Sequence, residues 1–177
     1  MIKTVNTSTE KYANKSPLIS KDVIDMLNYR IEQEEYSSRV YLAMSMWLDN
    51  TGYKNAAKVW HKYSTEEQAH ADWSKEYLLS FGVQPTTPML DKPQESFSGF
   101  PEIIRMTYQH EIDVTNQIKE LADKAVDVKD HVLYQLTMKY LSEQVEEAAK
   151  TQDHLDQLNL FGEDKIAMRL FDMNLED

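Results

Sequence analysis

The sequence predicts an all-α fold: a four-helix bundle with one long crossover loop and a short fifth C-terminal helix. Three observations predict it. The 177 residues include only 4 Gly and 5 Pro, so few positions interrupt regular structure. Four stretches, each about thirty residues long, carry core-type side chains at alternating steps of three and four, the spacing of one helix face. Between the second and third stretches, residues 82–98 hold Pro85, Pro88 and Pro93 and read as an extended connection. A chain of 20.7 kDa is the size of one domain with a substantial core.

Residues 1–17 are polar and lack periodicity, and they read as a disordered tail. A helix start follows at Ser20, a good N-cap, with Ile19 and Ile24 at the hydrophobic-staple positions. The first helix runs to about Asp49 with an inward stripe of Leu27, Ile31, Glu34, Ser38, Tyr41, Ser45 and Leu48. After the turn Asp49-Asn50-Thr51-Gly52, the second stripe reads Trp60, Tyr63, Glu67, His70, Ser74, Tyr77 and Phe81, and Gly82 fits a C-terminal cap. The connection of residues 82–98 can span ~55 Å at ~3.3 Å per residue. The second helix is only ~42 Å long at 1.5 Å per residue. The loop can therefore return along the whole bundle and make the second and third helices parallel.

The third helix starts near Pro101, with the stripe Ile104, Tyr108, Glu111, Thr115, Ile118, Ala122 and Ala125. A break at residues 127–130 leads to the fourth, with the stripe Leu133, Thr137, Tyr140, Gln144, Glu147, Thr151, His154 and Leu158, ending at Gly162. The last segment places Ile166, Ala167, Leu170 and Phe171 at helical spacing. It is too short to be stable alone, so its apolar stripe must pack on something. The core is already filled by the four stripes, which points to copies of the chain around a symmetry axis.

Composition narrows the function. There is no Cys, which excludes disulfides, thiolate metal sites and cysteine nucleophiles. A net charge of −11 argues against binding nucleic acid or an anionic membrane through a basic face, and suits the gathering of cations. No apolar run approaches transmembrane length and the N-terminus has no signal-peptide core, so a cytoplasmic protein is expected.

The chemistry lies in the depths of four acids. Glu67 and His70 are three residues apart and share a helix face. Glu34 lies ~24 Å before the first turn and Glu67 about as far after it, at 1.5 Å per residue. An antiparallel hairpin brings them to one level, and Glu111 and Glu147 are related in the same way across the second turn. Four carboxylates and an imidazole in a bundle core cannot remain ionised and unpaired. Two shared divalent cations resolve this, bound by Glu34, Glu67, His70, Glu111 and Glu147. His61, His110, His131 and His154 read as surface or ordinary core histidines.

These residues carry a family resemblance. Glu34-Glu35-Tyr36-Ser37-Ser38 with Tyr41, then Glu66-Glu67-Gln68-Ala69-His70, His110-Glu111 and Ser142-Glu143-Gln144-Val145-Glu146-Glu147 resemble non-haem bacterial ferritin, a ferritin-like di-iron family. The resemblance covers residues 18–177. It implies iron storage in a hollow 24-subunit shell, with a ferroxidase centre in each subunit that oxidises Fe(II) with O2 or H2O2. By this match Glu34, Glu67 and His70 hold one iron, with Glu67 bridging. Glu111 and Glu147 hold the second, with Gln144 beside it. Tyr41 matches a tyrosine near the centre that can donate an electron. Glu66, Glu143 and Glu146 match a third iron site of bacterial members.

The sequence also departs from related patterns. Symmetric di-iron oxidases and bacterioferritin carry Glu-x-x-His twice, whereas Glu147 is followed at the third position by Lys150. A single imidazole among hard oxygen donors holds iron less tightly than two would, which favours iron passing through. Gln68 stands where bacterioferritin has its haem methionine, so no haem is expected. A rubrerythrin-like peroxidase is disfavoured because the second motif and rubredoxin-type cysteines are absent. A starvation-type mini-ferritin is disfavoured because its site lies between subunits, and a non-catalytic helical module because of the core carboxylates.

Overall fold

A computed structural model describes residues 18–175; the tail expected over residues 1–17 lies outside them. The chain forms α1 (Lys21–Thr51), α2 (Lys54–Ser80), α3 (Phe100–Asp127), α4 (His131–Phe161) and α5 (Lys165–Asn174). Local signals fix most of the ends. The Ser20 hydroxyl accepts from the Val23 amide, and Gly52 closes α1 with a φ of 99°, where a side chain would be strained. Asp130 caps α4 by accepting from the amides of Val132 and Leu133. Asp164 does the same for α5 through Ile166 and Ala167.

Two apolar clusters show how the helices run. At one end Leu48 of α1 and Trp60 near the start of α2 pack with Phe100 and Ile104 at the start of α3 and Leu158 near the end of α4. At the other end Leu27 and Ile31 of α1 meet Leu78 and Val83 after α2, Leu121 and Ala125 late in α3, and Leu133 early in α4. Consequently α1/α2 and α3/α4 are antiparallel hairpins, α2 and α3 are parallel, and residues 83–99 run the length of the bundle, as the loop arithmetic required. The inward face of α3 is rotated slightly from expectation. Thr107 and Val114 are buried, while Tyr108 and Thr115 are only half-buried. Thr107 earns its inward place by accepting a hydrogen bond from Trp60 Nε1 at 2.9 Å.

The last helix requires a correction. The spacing favours an apolar stripe packed on further copies of the chain over one folded back on its own bundle. Instead Ala167, Met168 and Phe171 dock on the end of this bundle, with the Phe171 ring 5.3 Å from that of Phe100. Ile166 and Leu170 remain outside. The four stripes leave the bundle end open, and α5 closes it.

Asp172 fixes that closure. It is 1% exposed, and its Oδ1 accepts from the amides of Asn55 and Ala56 at 3.0 and 2.9 Å. Its Oδ2 pairs with Arg169 at 2.8 Å. The residue before α2, Tyr53, offers no side-chain cap, so α5 supplies one from across the chain. Losing a cap costs ~1–2 kcal/mol. Asp172→Ala is expected to lower the midpoint of thermal unfolding by about 2–8 °C at a chain of this size. Scanning calorimetry checks it; an unchanged midpoint would show that the cap contributes nothing.

Candidate metal centre

All four helices of the bundle place a carboxylate at mid-height: Glu34 from α1, Glu67 from α2, Glu111 from α3 and Glu147 from α4. Glu34, Glu67, Glu111, His70, Gln144 and Tyr41 are buried, and the Glu147 side chain is 12% exposed. His70 Nδ1 lies 3.2 Å from Glu67 Oε2, and its Nε2 lies 3.8 Å from Glu147 Oε1. The Tyr41 hydroxyl donates to Glu111 Oε1, and Gln144 Nε2 donates to Glu111 Oε2 at 2.8 Å. Glu111 is thus held from both sides, and Gln144 and Tyr41 orient it. A cavity of about 10 Å³, on the order of one water, is lined by Glu67, Glu111, Glu147, Tyr41, Tyr63, Thr151 and Lys150.

Two groups of side chains converge closely enough to share a cation. Glu34, Glu67 and His70 form one, and Glu67, His110 and Glu111 form the other, each with its donor atoms within 4.8 Å of one another. Glu67 belongs to both. Both oxygens of Glu34 and Oε2 of Glu147 are buried, and among the described residues no N–H or hydroxyl group bonds to them; the one proton shared with Glu34 is that kept by Glu67. Buried carboxylate oxygens left without donors are costly unless a cation meets them. The donor set of hard oxygens and imidazole suits iron and similar divalent ions.

Histidine 110 is the surprise. It was read as an ordinary histidine, yet it joins the second group and its Nε2 contacts Ser37 Oγ at 2.8 Å. Its place beside Glu111 hid it, because neighbours in sequence project ~100° apart on a helix. Arg30 was also passed over, though it lies four residues before Glu34 on the same face. Of the residues matched to a third iron, Glu66 and Glu143 are half-buried and Glu146 is exposed, and none belongs to either group. Glu66 and Glu143 are close enough to act on the His70 charge.

Burial sets the electrostatics. It pushes Glu67 well above the usual carboxylate range, and the charges of Glu34 and Glu111 add to the effect. Burial, then Glu111 and Glu34, raise Glu147 to about 8. Loss of water lowers both His70 and His110, so both imidazoles are neutral and free to donate a lone pair. Desolvation, then the Glu111 charge, raises Tyr41 well above 10 and keeps it a phenol.

Known proteins share this fold. Residues 24–161 match the family model of the ferritin-like domain. The chain belongs to the ferritin-like family. It is 33% identical to a probable bacterial non-heme ferritin-like protein of Haemophilus influenzae, over 89% of this chain and 96% of that one. It is 29% identical to a bacterial non-heme ferritin of Escherichia coli, again over 89% and 96%. Among solved structures, the open-pore ferritin of Archaeoglobus fulgidus superposes with a TM-score of 0.85 at 31% identity, covering 89% of this chain and 96% of that one. The ferritin-like four-helix bundle and short fifth helix are therefore the family's own architecture.

The Glu147 carboxyl gives a pH dependence with a definite sign. Below pH 4.5 it is protonated both folded and unfolded. Between 4.5 and about 8 the folded chain keeps a proton that the unfolded chain has lost. Unfolding then releases a proton, so stability falls as pH rises through that window and levels off above it. Above about pH 7, where His70 and His110 are neutral both folded and unfolded and add no opposing slope, the metal-free protein is expected to lose thermal stability up to pH 8, and Zn²⁺ to restore more at pH 8 than at pH 7. Glu147→Gln should flatten the metal-free slope. A slope unchanged in that variant counts against the assignment.

Proposed function

We propose that this chain is an iron-storage protein with ferroxidase activity, oxidising Fe(II) with O2 or H2O2 at a di-iron centre inside each subunit. The observation that carries this reading is Glu67, a buried carboxylate common to two cation-capable groups. Fe(II) is the substrate. Glu34, Glu67 and His70 receive one ion; Glu111 and Glu147 receive the other, with Gln144 beside them and His110 as a nitrogen in reach. Glu67 bridges. Glu66, Glu143 and Glu146 form a weaker third iron site on the flank. Gln68 offers no thioether, and haem has no part in the reaction.

Protein groups supply geometry, charge and protons. As Fe(II) arrives, Glu67 and Glu147 release the protons that burial made them keep. Two Fe(II) ions lose one electron each. With two protons, O2 leaves as hydrogen peroxide, or peroxide leaves as two waters. Where only one Fe(II) is bound, Tyr41 can give the second of the two electrons, its phenolic proton passing to Glu111, to which the hydroxyl already donates. Ferric product moves on to an acidic interior, as expected of cargo held by mostly oxygen donors.

Storage requires a shell, and we infer a cytoplasmic one of twenty-four copies. No helix among the described residues is long and apolar enough to cross a membrane. The outer face of α5 keeps Ile166, Leu170 and Met173 exposed at 74%, 47% and 60%. An exposed apolar row on a helix already docked along its other side fits a contact with further copies around an axis.

Stopped-flow, diffraction and native-mass measurements test these points. Glu67→Ala should abolish rapid formation of ferric product in stopped-flow absorbance while helix content stays near wild type; a wild-type rate sinks the centre. Anomalous diffraction from iron-soaked crystals of the unmodified protein should show a weak third peak near Glu66, Glu143 and Glu146. Native mass should be about 500 kDa, twenty-four copies of 20.7 kDa. Ile166→Lys combined with Leu170→Lys should lower that mass without loss of helix, and a full shell from this variant would remove α5 from the assembly.

A further inference from the structure

Arg30 is 3% exposed in the middle of the bundle, one helical turn before Glu34. Its Nε lies 2.8 Å from Glu34 Oε1, and its Nη1 donates to Gln117 Oε1 of α3 at 2.8 Å. The contact with Glu34 has the distance of an ion pair but not the aim of a hydrogen bond: Nε, Nη2 and both Glu34 oxygens lack hydrogen-bond partners. Buried Arg–carboxylate pairs normally use a fork of parallel N–H bonds. From Arg30 the attraction is charge alone, and the Glu34 lone pairs are left to the Glu67 carboxyl and to an arriving cation.

We propose that Arg30 is a positioning residue, a built-in counter-cation beside Glu34, with which a divalent ion at Glu34, Glu67 and His70 must compete. A guanidinium cannot shed its proton, so its charge persists when the ion arrives. In a buried site that repulsion is strong, and the ion must push the guanidinium away from Glu34 Oε1 to bind there. Arg30 therefore makes the Glu34 half of the centre hold its ion less tightly than its ligands alone would. It favours transit of the ion over retention. This rests on reading Glu34 as an iron ligand.

A purely structural role makes the opposite prediction. Arg30 also ties α1 to α3 through Gln117, and loss of a tie loosens a site and weakens binding. Competition predicts tighter binding on the same substitution. The test is calorimetric titration of the full-length protein with Co²⁺ at pH 7.5, comparing wild type, Arg30→Gln and Arg30→Lys. Arg30→Gln should bind one of its two ions about tenfold tighter, as expected for removal of a nearby like charge. Arg30→Lys, which keeps the charge, should bind as wild type does. Glu34→Ala should erase the difference between Arg30 and Gln at this position.

Equal or weaker binding in a folded Arg30→Gln overturns the proposal while leaving the metal centre standing. Absence of Co²⁺ binding to wild type overturns the centre itself, and the proposal with it. If Arg30→Gln fails to fold, a Co²⁺-soaked crystal of the wild type decides. Arg30 Nε and Glu34 Oε1 should then lie beyond about 4 Å, the limit of an ion pair. A separation still near 2.8 Å refutes competition.

Discussion

Burial of negative charge at mid-bundle is the constraint on which the rest of the structure depends. Glu34, Glu67, Glu111 and Glu147 come together where water is scarce, and such a cluster repels itself. The chain answers in three ways. Protons stay on Glu67 and Glu147. Arg30 stands beside Glu34. Tyr41 and Gln144 donate to Glu111. None of these gives the Glu34 oxygens or Glu147 Oε2 an N–H or hydroxyl donor, and the lone pairs left over are ones that a cation could meet.

Such a cluster opposes folding, so its stability comes from elsewhere. Both ends of the bundle are apolar, built on Trp60, Phe100 and Leu48 at one end and Leu27, Ile31 and Leu78 at the other. The seam between hairpins is polar in its middle. Arg30 bonds Gln117, Ser37 meets His110, and Trp60 bonds Thr107. Tyr140 donates to the His70 carbonyl at 2.5 Å and meets Ser74, fixing the backbone from which the imidazole projects. The first hairpin carries Glu34, Glu67 and His70 and the second Glu111 and Glu147, so the cluster forms only when the hairpins are joined.

The helices and the four acids were legible in the sequence because both follow from rise and period. Counting 1.5 Å per residue from a shared turn places Glu34 beside Glu67 without any knowledge of packing. Crossover direction was legible from loop length. What escaped depends on contacts between elements distant in sequence. Thr107 faces inward because Trp60 needs an acceptor, which no periodicity on α3 reveals. His110 reaches the centre from a face that helical spacing assigns elsewhere. Arg30 has the right spacing, but a long cationic side chain reads as a surface residue until its burial is seen. The docking of α5 was missed because the open end of the bundle is a property of shape.

Asp172 gives the chain a fixed order of completion. A ribosome delivers Ala56 first and Asp172 only 116 residues later. At ~5–20 residues per second the interval is about 6–23 s. Throughout it the first turn of α2 has two backbone N–H groups waiting for an acceptor that has not been made. A message cut short before the codon for Asp172 yields every proposed iron ligand and a second helix without its cap. Completion thus waits on a residue made long after the helix it closes.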